Sequence, residues 1–167
     1  AKTNKPVTLT ITATDDQSGV GEVKLLSKKG EISVTDSGGE YTAQISENGA
    51  YSIVMYDKVG NKAVKNFNVS NIDNNAPTVT SCTLSTNEIT SKSVSVTLQF
   101  SKPNVHITSA EPIGSITNSQ YSINYSTSVI TFTESGSISV FFKDDYGNEG
   151  SDIVTVDNID KTPPSLT

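Results

Sequence analysis

A five-residue motif that occurs twice constrains the fold of this chain more than any other feature. Its first copy, Asp-Lys-Val-Gly-Asn, spans residues 57–61, and its second, Asp-Asp-Tyr-Gly-Asn, spans residues 144–148. Asp at the first position and Gly at the last position of a four-residue turn predict a type I turn. Apolar residues alternate along the chain before each copy, so each motif is predicted to join the two strands of a β-hairpin.

The spacing of the two copies recurs toward both ends of each module, although the match disappears between about residues 15 and 46. Their last residues are 148 − 61 = 87 positions apart, and a shift of 87 aligns the chain from end to end without a net gap. Each copy is followed by the pattern Val-x-Asn-Ile-Asp, at 69–73 and again at 156–160. A fixed period of this length indicates an array of like modules. The predicted domains are residues 1–73 and 74–160, with residues 161–167 as the start of a next repeat or a tail.

Short alternating runs fill both modules, and none has the 3.6-residue period of a helix. In the first module, for example, the apolar residues Val7, Leu9 and Ile11 alternate with threonines. Short strands at regular spacing, separated by Gly, Asn and Ser turns, are typical of an antiparallel β-sandwich. Each module is therefore predicted to be a sandwich with its own core.

The second module has one predicted strand that the first lacks. A run at residues 78–84 precedes the run that begins at Val94, whereas its counterpart before Val7 would precede Ala1. The first module is therefore expected to have an unpaired strand edge, and such edges accept strands from other chains. Either this edge stays bare or residues 163–167 of a neighbouring molecule occupy it.

Composition excludes several classes of function. The net charge is −6, the pI is about 4.7, and the chain has no arginine, so no nucleic-acid partner is expected. No apolar run reaches the length of a membrane span, and no membrane insertion is expected of this segment. His106 is the only histidine, which excludes a multi-histidine metal site. A Ser-His-Asp catalytic triad would have to use this one histidine. Because no pair of acidic residues stands out either, the chain is predicted not to be an enzyme.

Cys82 is the only cysteine, so neither module can hold an intramolecular disulfide. The alternation of Thr80, Cys82 and Leu84 places the thiol on the same strand face as an apolar residue. A lone cysteine on such a face usually behaves as a small hydrophobic residue. We therefore expect Cys82 to be buried and unpaired.

The segment before the first motif resembles the start of strand F in immunoglobulin domains. It reads Glu-Asn-Gly-Ala-Tyr-Ser-Ile at residues 47–53, with Tyr51 at the tyrosine-corner position and Ile53 in place of the cysteine. The second module's counterpart, residues 134–140, lacks even the tyrosine. The predicted fold class is all-β: two tandem immunoglobulin-like antiparallel β-sandwiches joined by a short linker. Aliphatic packing rather than a disulfide is expected to hold each core together.

Several segments together resemble the tandem bacterial Ig-like repeats of Gram-positive cell-surface and extracellular proteins. They are residues 14–20, 57–61 and 71–77, and the last two recur at 144–148 and 158–164. The resemblance implies an extracellular, cell-surface location and a non-catalytic spacer in an adhesive stalk, with neighbouring repeats of the same chain as partners. It brings no catalytic residue and no cofactor.

The alternative function is an accessory module of an extracellular enzyme or adhesin that binds a carbohydrate or a host ligand. Such a module would present an exposed aromatic or polar platform. The candidates are Tyr121 and Tyr125 on one predicted strand face, and Tyr146 in a turn. The first two are more consistent with a core position than with a platform.

Acidic residues at the ends of the modules are candidate calcium ligands, because Ca²⁺ takes six to eight oxygens that such loops can supply. Aspartates also begin turns and cap loops without any ion. In the second module, Lys102 and Pro103 replace the acidic pair of the first. The candidate ligands are Asp73, Asp144 and Asp145 at the joint, and Asp15, Asp16 and Asp57 in the first module.

The joint between the modules is predicted to be short and stiff. About four residues, 74–77, separate the last strand of one module from the first strand of the next, and Pro77 has a fixed φ. Ile72 is expected to pack against loops of the second module. Asp73 is expected to accept backbone hydrogen bonds there or to ligate an ion.

Overall fold

The computed structural model describes residues 1–166, and within them the chain divides into two compact units. The first is Ala1–Asn74 and the second begins at Asn75. Nearly all of the regular structure is strand, as the period-2 patterns predict, and every paired strand is antiparallel to its neighbour. A 3₁₀ turn at Asn118–Gln120 is the one described helical element.

The first unit consists of two sheets that pack against each other. Its strands are β1 (Val7–Thr12), β2 (Val20–Ser27), β3 (Gly30–Ile32), β4 (Thr35–Asp36), β5 (Glu40–Ile45), β6 (Gly49–Asp57) and β7 (Lys62–Val69). One sheet has the strand order β1-β5-β4 and the other β3-β2-β6-β7. The first repeated motif is the turn between β6 and β7.

The second unit repeats this plan with one strand added and one lost. Its strands are β8 (Val79–Leu84), β9 (Val94–Phe100), β10 (Val105–Ile113), β11 (Tyr121–Asn124), β12 (Val129–Phe132), β13 (Gly136–Asp144) and β14 (Glu149–Val156). The sheet orders are β11-β12-β9-β8 and β10-β13-β14. Strands β13 and β14 lie 87 residues after β6 and β7 at both ends. The predicted fold class is confirmed: the chain is all-β, with two immunoglobulin-like sandwiches.

Aliphatic residues on alternate positions of facing strands form the cores. The second unit has one continuous cluster, in which Ile130, Phe132, Ile138 and Val140 are completely inaccessible to solvent. Burying each such side chain stabilises the fold by about 1.5–3 kcal/mol. In the first unit the buried residues fall into two smaller clusters, one around Leu25 and Ile45 and one around Ile11 and Tyr41.

The predicted tyrosine corner is present in the first unit. The hydroxyl of Tyr51 donates a hydrogen bond of 2.7 Å to the carbonyl oxygen of Glu47, and the ring is buried against Phe67 with 5.6 Å between the centroids. In the second unit Ile138 takes this position and is fully buried. The same site in the core thus accepts either an aromatic ring with a satisfied hydroxyl or an aliphatic side chain.

The expectation that Cys82 is buried is wrong. Cys82 lies on β8 opposite the buried Leu98, so it faces the core side of the sheet, but it is exposed. The reason is that β8 is the outermost strand of its sheet, and no further strand covers the thiol. Partial burial nevertheless raises the pKa of the thiol, and the nearby Asp152 carboxylate raises it further.

One of the two tyrosines expected in the core is also placed differently. Tyr121 packs against the core of the second unit. Its hydroxyl oxygen lies 2.8 Å from Oδ1 of Asn118 and 3.1 Å from the carbonyl oxygen of Ala110, and its single proton is donated to one of these two acceptors at a time. Tyr125 lies beyond the end of β11 and is 52% exposed. The alternation ends with the strand at Asn124, so the face shared by alternate residues does not extend to Tyr125.

The expectation that the first unit lacks its first strand stays a prediction, and the described residues show how the equivalent strands β9 and β1 pair. Strand β9 pairs with β12 on one side and β8 on the other, whereas β1 pairs only with β5. The residues before β1 do not take the place of β8. Thr3 forms a parallel bridge to Ile72 instead.

Candidate functional site

Several candidate site residues lie in the repeated turns. In the first turn, the Asp57 side chain accepts hydrogen bonds from residues of the same turn. Oδ1 of Asp57 accepts the backbone N–H groups of Val59 at 3.0 Å and Asn61 at 2.7 Å, and Oδ2 accepts the Asn61 side-chain amide at 2.6 Å. The backbone N–H of Gly60 donates to the Asp57 carbonyl oxygen at 3.2 Å, and Gly60 adopts a φ of 96° that only glycine adopts easily.

These bonds determine the charge state of the Asp57 carboxyl group. Burial by itself raises its pKa, but the hydrogen bonds from Asn61, Ser18 and Val59 outweigh burial and hold the pKa below its ordinary value. The carboxylate therefore stays ionised near neutral pH. Its acceptor capacity is used by the turn that it begins.

The second turn repeats this geometry bond by bond. Oδ1 of Asp144 accepts the N–H groups of Tyr146 at 2.9 Å and Asn148 at 3.0 Å, and Oδ2 accepts the Asn148 side-chain amide at 2.9 Å. Gly147 closes the turn with its N–H on the Asp144 carbonyl oxygen at 3.0 Å. Because two turns 87 residues apart share these bonds within the turn, the motif is a structural unit of the fold and does not by itself mark a ligand site.

A lysine distinguishes the second turn from the first. The ammonium group of Lys102 lies 2.9 Å from Oδ2 of Asp144, and it also donates to the carbonyl oxygen of Asn75. The Asp144 side chain is only 2% exposed. Burial raises the pKa of Asp144, but the hydrogen bonds from Asn148 and Lys102 dominate and hold it well below its usual range. A carboxylate and a carbonyl oxygen, two ligand types that suit calcium, here converge on an ammonium group.

In the first unit an aspartate occupies the position that corresponds to this lysine, since 102 − 87 = 15. Oδ1 of Asp15 accepts the backbone N–H groups of Gly19 at 2.7 Å and Ser18 at 2.8 Å. The hydrogen bond from Gly19 is the largest cause of a lowered pKa of Asp15. Asp15 and Asp57 line the same shallow pocket, together with Tyr56 and other residues.

Two further predicted acidic ligands, Asp16 and Asp145, are exposed. The Asp145 side chain is half exposed and its Oδ1 lies 3.4 Å from Nε2 of His106, an exposed pair on β10 and the turn. Across residues 1–166, no three His, Cys, Asp or Glu side chains come together as a group able to hold a metal ion. Calcium binding stays a prediction.

The structure gives Ile72 a role other than the predicted one at the joint. Ile72 is buried in the core of its own unit beside Leu25 and Tyr51. The side-chain amide of Asn48 binds it at two points: Nδ2 donates to the Ile72 carbonyl oxygen at 2.6 Å, and Oδ1 accepts the Ile72 N–H at 2.9 Å. The Asn-Ile-Asp segment therefore closes the first sandwich rather than serving only as a linker.

Backbone bonds complete this closure around Thr3. The Thr3 N–H donates to the carbonyl oxygen of Asn71 at 2.9 Å, and the Asp73 N–H donates to the carbonyl oxygen of Thr3 at 2.8 Å. We call these bonds, together with those between Asn48 and Ile72, the first latch. The predicted approach of the Asp73 carboxylate to the second turn stays a prediction.

The second unit has the same latch. The N–H of Thr90 donates to the carbonyl oxygen of Asn158, and the N–H of Asp160 donates to the carbonyl oxygen of Thr90, both at 2.9 Å. The hydroxyl of Ser135 both donates to the Ile159 carbonyl oxygen and accepts the Ile159 N–H at 2.9 Å. Sequence reasoning aligned the outer members of the latch but missed the pair Asn48 and Ser135. Asn48 and Ser135 occupy equivalent positions 87 residues apart, but they are different residue types, so the sequence did not show that they have the same role.

Pro77, the third residue predicted at the joint, is a fully buried residue of the second unit. A Cβ placed on Gly150 would lie 2.5 Å from the Pro77 carbonyl oxygen and 2.5 Å from Cε2 of Phe142. Only glycine leaves room for this approach. Pro77 thus anchors the start of β8 against β13 and β14.

Among the described residues, a groove of the first unit has a single aromatic residue in its lining. It has a volume of about 390 Å³ and lies between the β2–β3 hairpin and the loop before β6. Tyr51 is its only aromatic lining residue, and that ring is 5% exposed with its hydroxyl bonded inward. Lys29 and Glu47 form an exposed ion pair at its rim.

Comparisons with known proteins give a fold likeness alone. No protein-family model matches the chain, and no curated protein matches it in sequence. The titin I-band fragment I67–I69 is 12% identical with a TM-score of 0.45, covering 92% of this chain and 60% of that fragment. Murine CEACAM1b is 13% identical with a TM-score of 0.39, covering 93% of this chain and 94% of that chain. Likenesses at this level carry no functional information.

The fold and the site together define a class. The chain is a tandem of two immunoglobulin-like β-sandwich domains. Within residues 1–166 no helix has the length and apolar character needed to cross a membrane. Each domain is closed at its end by a latch of the same design.

Proposed function

We propose that the chain is a non-catalytic spacer segment of an extracellular, surface-displayed protein, in which successive modules form a stalk. The observation that carries the proposal is the repeated latch. Thr3 with Asn71 and Asp73, and Thr90 with Asn158 and Asp160, make the same bonds. A module that closes on its own terminal residues and has its own core can be repeated along a chain without depending on its neighbour for its fold.

The chemistry of the surface supports the same proposal. The acidic residues of the turns are bonded within the turns or to Lys102, and His106 pairs with Asp145 on the surface. A net charge of −6 keeps such a surface soluble and disfavours adhesion to anionic polymers. The short connection after the first latch contains Pro77, which is buried. Because proline has a fixed φ, the backbone of this connection has less freedom, which suits a spacer.

Small-angle scattering tests the stalk. We expect a maximum dimension near twice that of one unit and no change on addition of a chelator. The matched control is a variant with five Gly and Ser residues inserted between Asn74 and Asn75, which should broaden the distance distribution because a Gly/Ser linker is flexible. A compact pair in the unmodified chain contradicts a stalk. Binding of the chain to a polysaccharide in a glycan array would favour the accessory-module alternative instead.

A further inference from the structure

We propose that Asn48 is a site of spontaneous deamidation, and that its conversion to aspartate opens the first latch and leaves the latch of the second unit closed. The modification needs no enzyme and no partner, because the nucleophile is the backbone nitrogen of the next residue. The proposal is independent of the stalk. It rests on the residue that follows Asn48, on the two bonds from Asn48 to Ile72, and on the serine that replaces Asn48 in the second unit.

The first observation is that Asn48 is followed by a glycine, in the only Asn-Gly pair of the chain. Glycine has no Cβ to hinder its backbone nitrogen, so this nitrogen reaches the side-chain amide carbon of the preceding asparagine more easily than in any other residue. Asn48 and Gly49 are both exposed, and among the described residues a Cβ built on Gly49 would meet nothing within 4 Å. Water and hydroxide therefore have access to the pair.

The reaction balances with water as the only co-reactant. The deprotonated backbone nitrogen of Gly49 forms a bond to Cγ of Asn48, the bond from Cγ to Nδ2 breaks, and Nδ2 takes up a proton and leaves as ammonia. Water then opens the resulting succinimide ring at either of its two carbonyl carbons. One product is aspartate in an ordinary main chain, and the other is isoaspartate, whose Cβ becomes part of the main chain.

The second observation is that the first latch uses Asn48 both as a donor and as an acceptor. Nδ2 donates to the Ile72 carbonyl oxygen at 2.6 Å, and Oδ1 accepts the Ile72 N–H at 2.9 Å. An ionised aspartate can replace only the second bond, because a carboxylate has no proton to donate. Its other oxygen would face the Ile72 carbonyl oxygen, and neither of these two acceptors would have a donor. Aspartate at this position therefore disfavours the closed latch.

The isoaspartate product disturbs the latch in a second way. It adds one carbon to the main chain directly before Gly49, where β6 begins. Both products of the reaction thus weaken the same closure.

The bonds to Ile72 also control when the reaction occurs. Departure of Nδ2 breaks its hydrogen bond to the Ile72 carbonyl oxygen, so the closed latch slows the reaction. We expect deamidation to proceed from the transiently opened latch, and therefore more slowly than in a flexible peptide of the same sequence. Each opening can then become permanent, since the product closes less readily.

The third observation is that the second unit closes without a reactive amide at this position. Ser135 lies 87 residues after Asn48 and precedes Gly136. Its hydroxyl donates to the Ile159 carbonyl oxygen and accepts the Ile159 N–H, both at 2.9 Å. A serine has no amide to lose. The two latches share their design, but only the first contains an Asn-Gly pair.

Incubation of the full chain in a mildly alkaline buffer, followed by peptide mass spectrometry, tests the site. We expect Asn48 to lose ammonia and gain water, at a lower rate than in a free peptide of residues 46–51. Asn48→Ser is the matched control and should show no change of mass at this position. Retention of the Asn48 amide over several weeks would overturn the assignment of the site. A rate equal to that of the free peptide would overturn the control by the latch.

Hydrogen exchange tests the consequence for the latch. The deamidated chain carries one more negative charge, so anion exchange separates it from the unmodified chain. We expect the N–H groups of Thr3 and Asp73 to exchange about tenfold faster in the deamidated chain and in Asn48→Asp, and Asn48→Ser to keep more protection than either. Unchanged exchange in the deamidated chain and in Asn48→Asp would overturn the opening of the latch. Equal acceleration at Thr90 and Asp160 would overturn its restriction to the first unit.

Discussion

The ion pair between Lys102 and Asp144 is the residue-scale feature with the largest expected effect on stability. Replacing Lys102 by Met leaves the Asp144 carboxylate, 2% exposed, without its cation. We expect the second unit to lose about 2–3 kcal/mol, at the low end for a buried pair because the Lys102 side chain is 20% exposed. Hydrogen exchange read unit by unit measures the loss. Lys58→Met, in the first unit's turn, is the control and should leave the second unit unchanged.

The same carboxylate predicts a dependence on pH. The folded-state pKa of Asp144 lies well below the unfolded value, so its stabilising contribution is fully present above the unfolded pKa of about 4. The contribution is lost as the pH falls from there toward the folded-state pKa. Denaturant unfolding of the second unit at stepped pH should show a fall in stability below about pH 4 that is smaller in Asp144→Asn. An equal fall in both proteins would contradict the conclusion that protonation of Asp144 causes the loss of stability.

The tyrosine corner predicts a smaller effect in the first unit. Tyr51→Phe removes the hydroxyl that donates to the Glu47 carbonyl oxygen and leaves the ring packing intact. The expected loss is about 1 kcal/mol, the usual value of one intramolecular hydrogen bond. Chemical unfolding of the first unit measures it. Tyr56→Phe serves as the control. If Tyr56→Phe destabilises the first unit as much as Tyr51→Phe does, the hydrogen bond of the tyrosine corner has no specific contribution to stability.

At the scale of elements, the latch predicts how the ends of the first unit are held. Asn48→Ala removes both bonds to Ile72, so we expect faster hydrogen exchange in residues 1–5 and 70–73. Asn48→Ser is the matched variant, because a serine makes both bonds in the second unit. It should retain more protection than the alanine variant. Equal exchange in all three proteins would show that Asn48 does not hold the latch.

The contact between β8 and β14 gives a second prediction at this scale. Gly150→Ala places a methyl group 2.5 Å from the Pro77 carbonyl oxygen, so the second unit should lose about 1–3 kcal/mol through overpacking. The equivalent exchange in the first unit, Ala63→Gly, meets no such strand and should change stability by less than about 1 kcal/mol. Thermal unfolding resolved by unit compares the two. A neutral Gly150→Ala would mean that β8 can shift without cost.

For the whole molecule, calcium is predicted to act differently on the two units. The Lys102 ammonium group occupies the convergence of the Asp144 carboxylate and the Asn75 carbonyl oxygen, so calcium should leave the melting of the second unit unchanged. A calcium-dependent rise in melting temperature is predicted only for the first unit, where position 15 is an aspartate. Titration with millimolar calcium and then with chelator measures both. No rise in the first unit would contradict the calcium prediction made from its acidic residues.

The sequence by itself determined the features that depend on local chemistry and on repetition. An aspartate and a glycine three residues apart form a turn wherever strands flank them, so both hairpins were predictable. Alternation of apolar residues identified the strands, and the 87-residue period identified two sandwiches. Tyr51 in its corner follows from a short motif, because its partner Glu47 is only four residues away.

Only the tertiary structure decided the features that join distant parts of the chain. Alternation assigns Cys82 to a strand face, but its exposure depends on β8 having no outer neighbour. Ile72 is a core residue because Asn48, 24 positions away, holds it there. Lys102 reaches Asp144 across 42 positions, and the ion pair lies at one of the candidate calcium ligands. Burial and charge pairing depend on which elements meet in space, and a local pattern in the sequence does not contain that information.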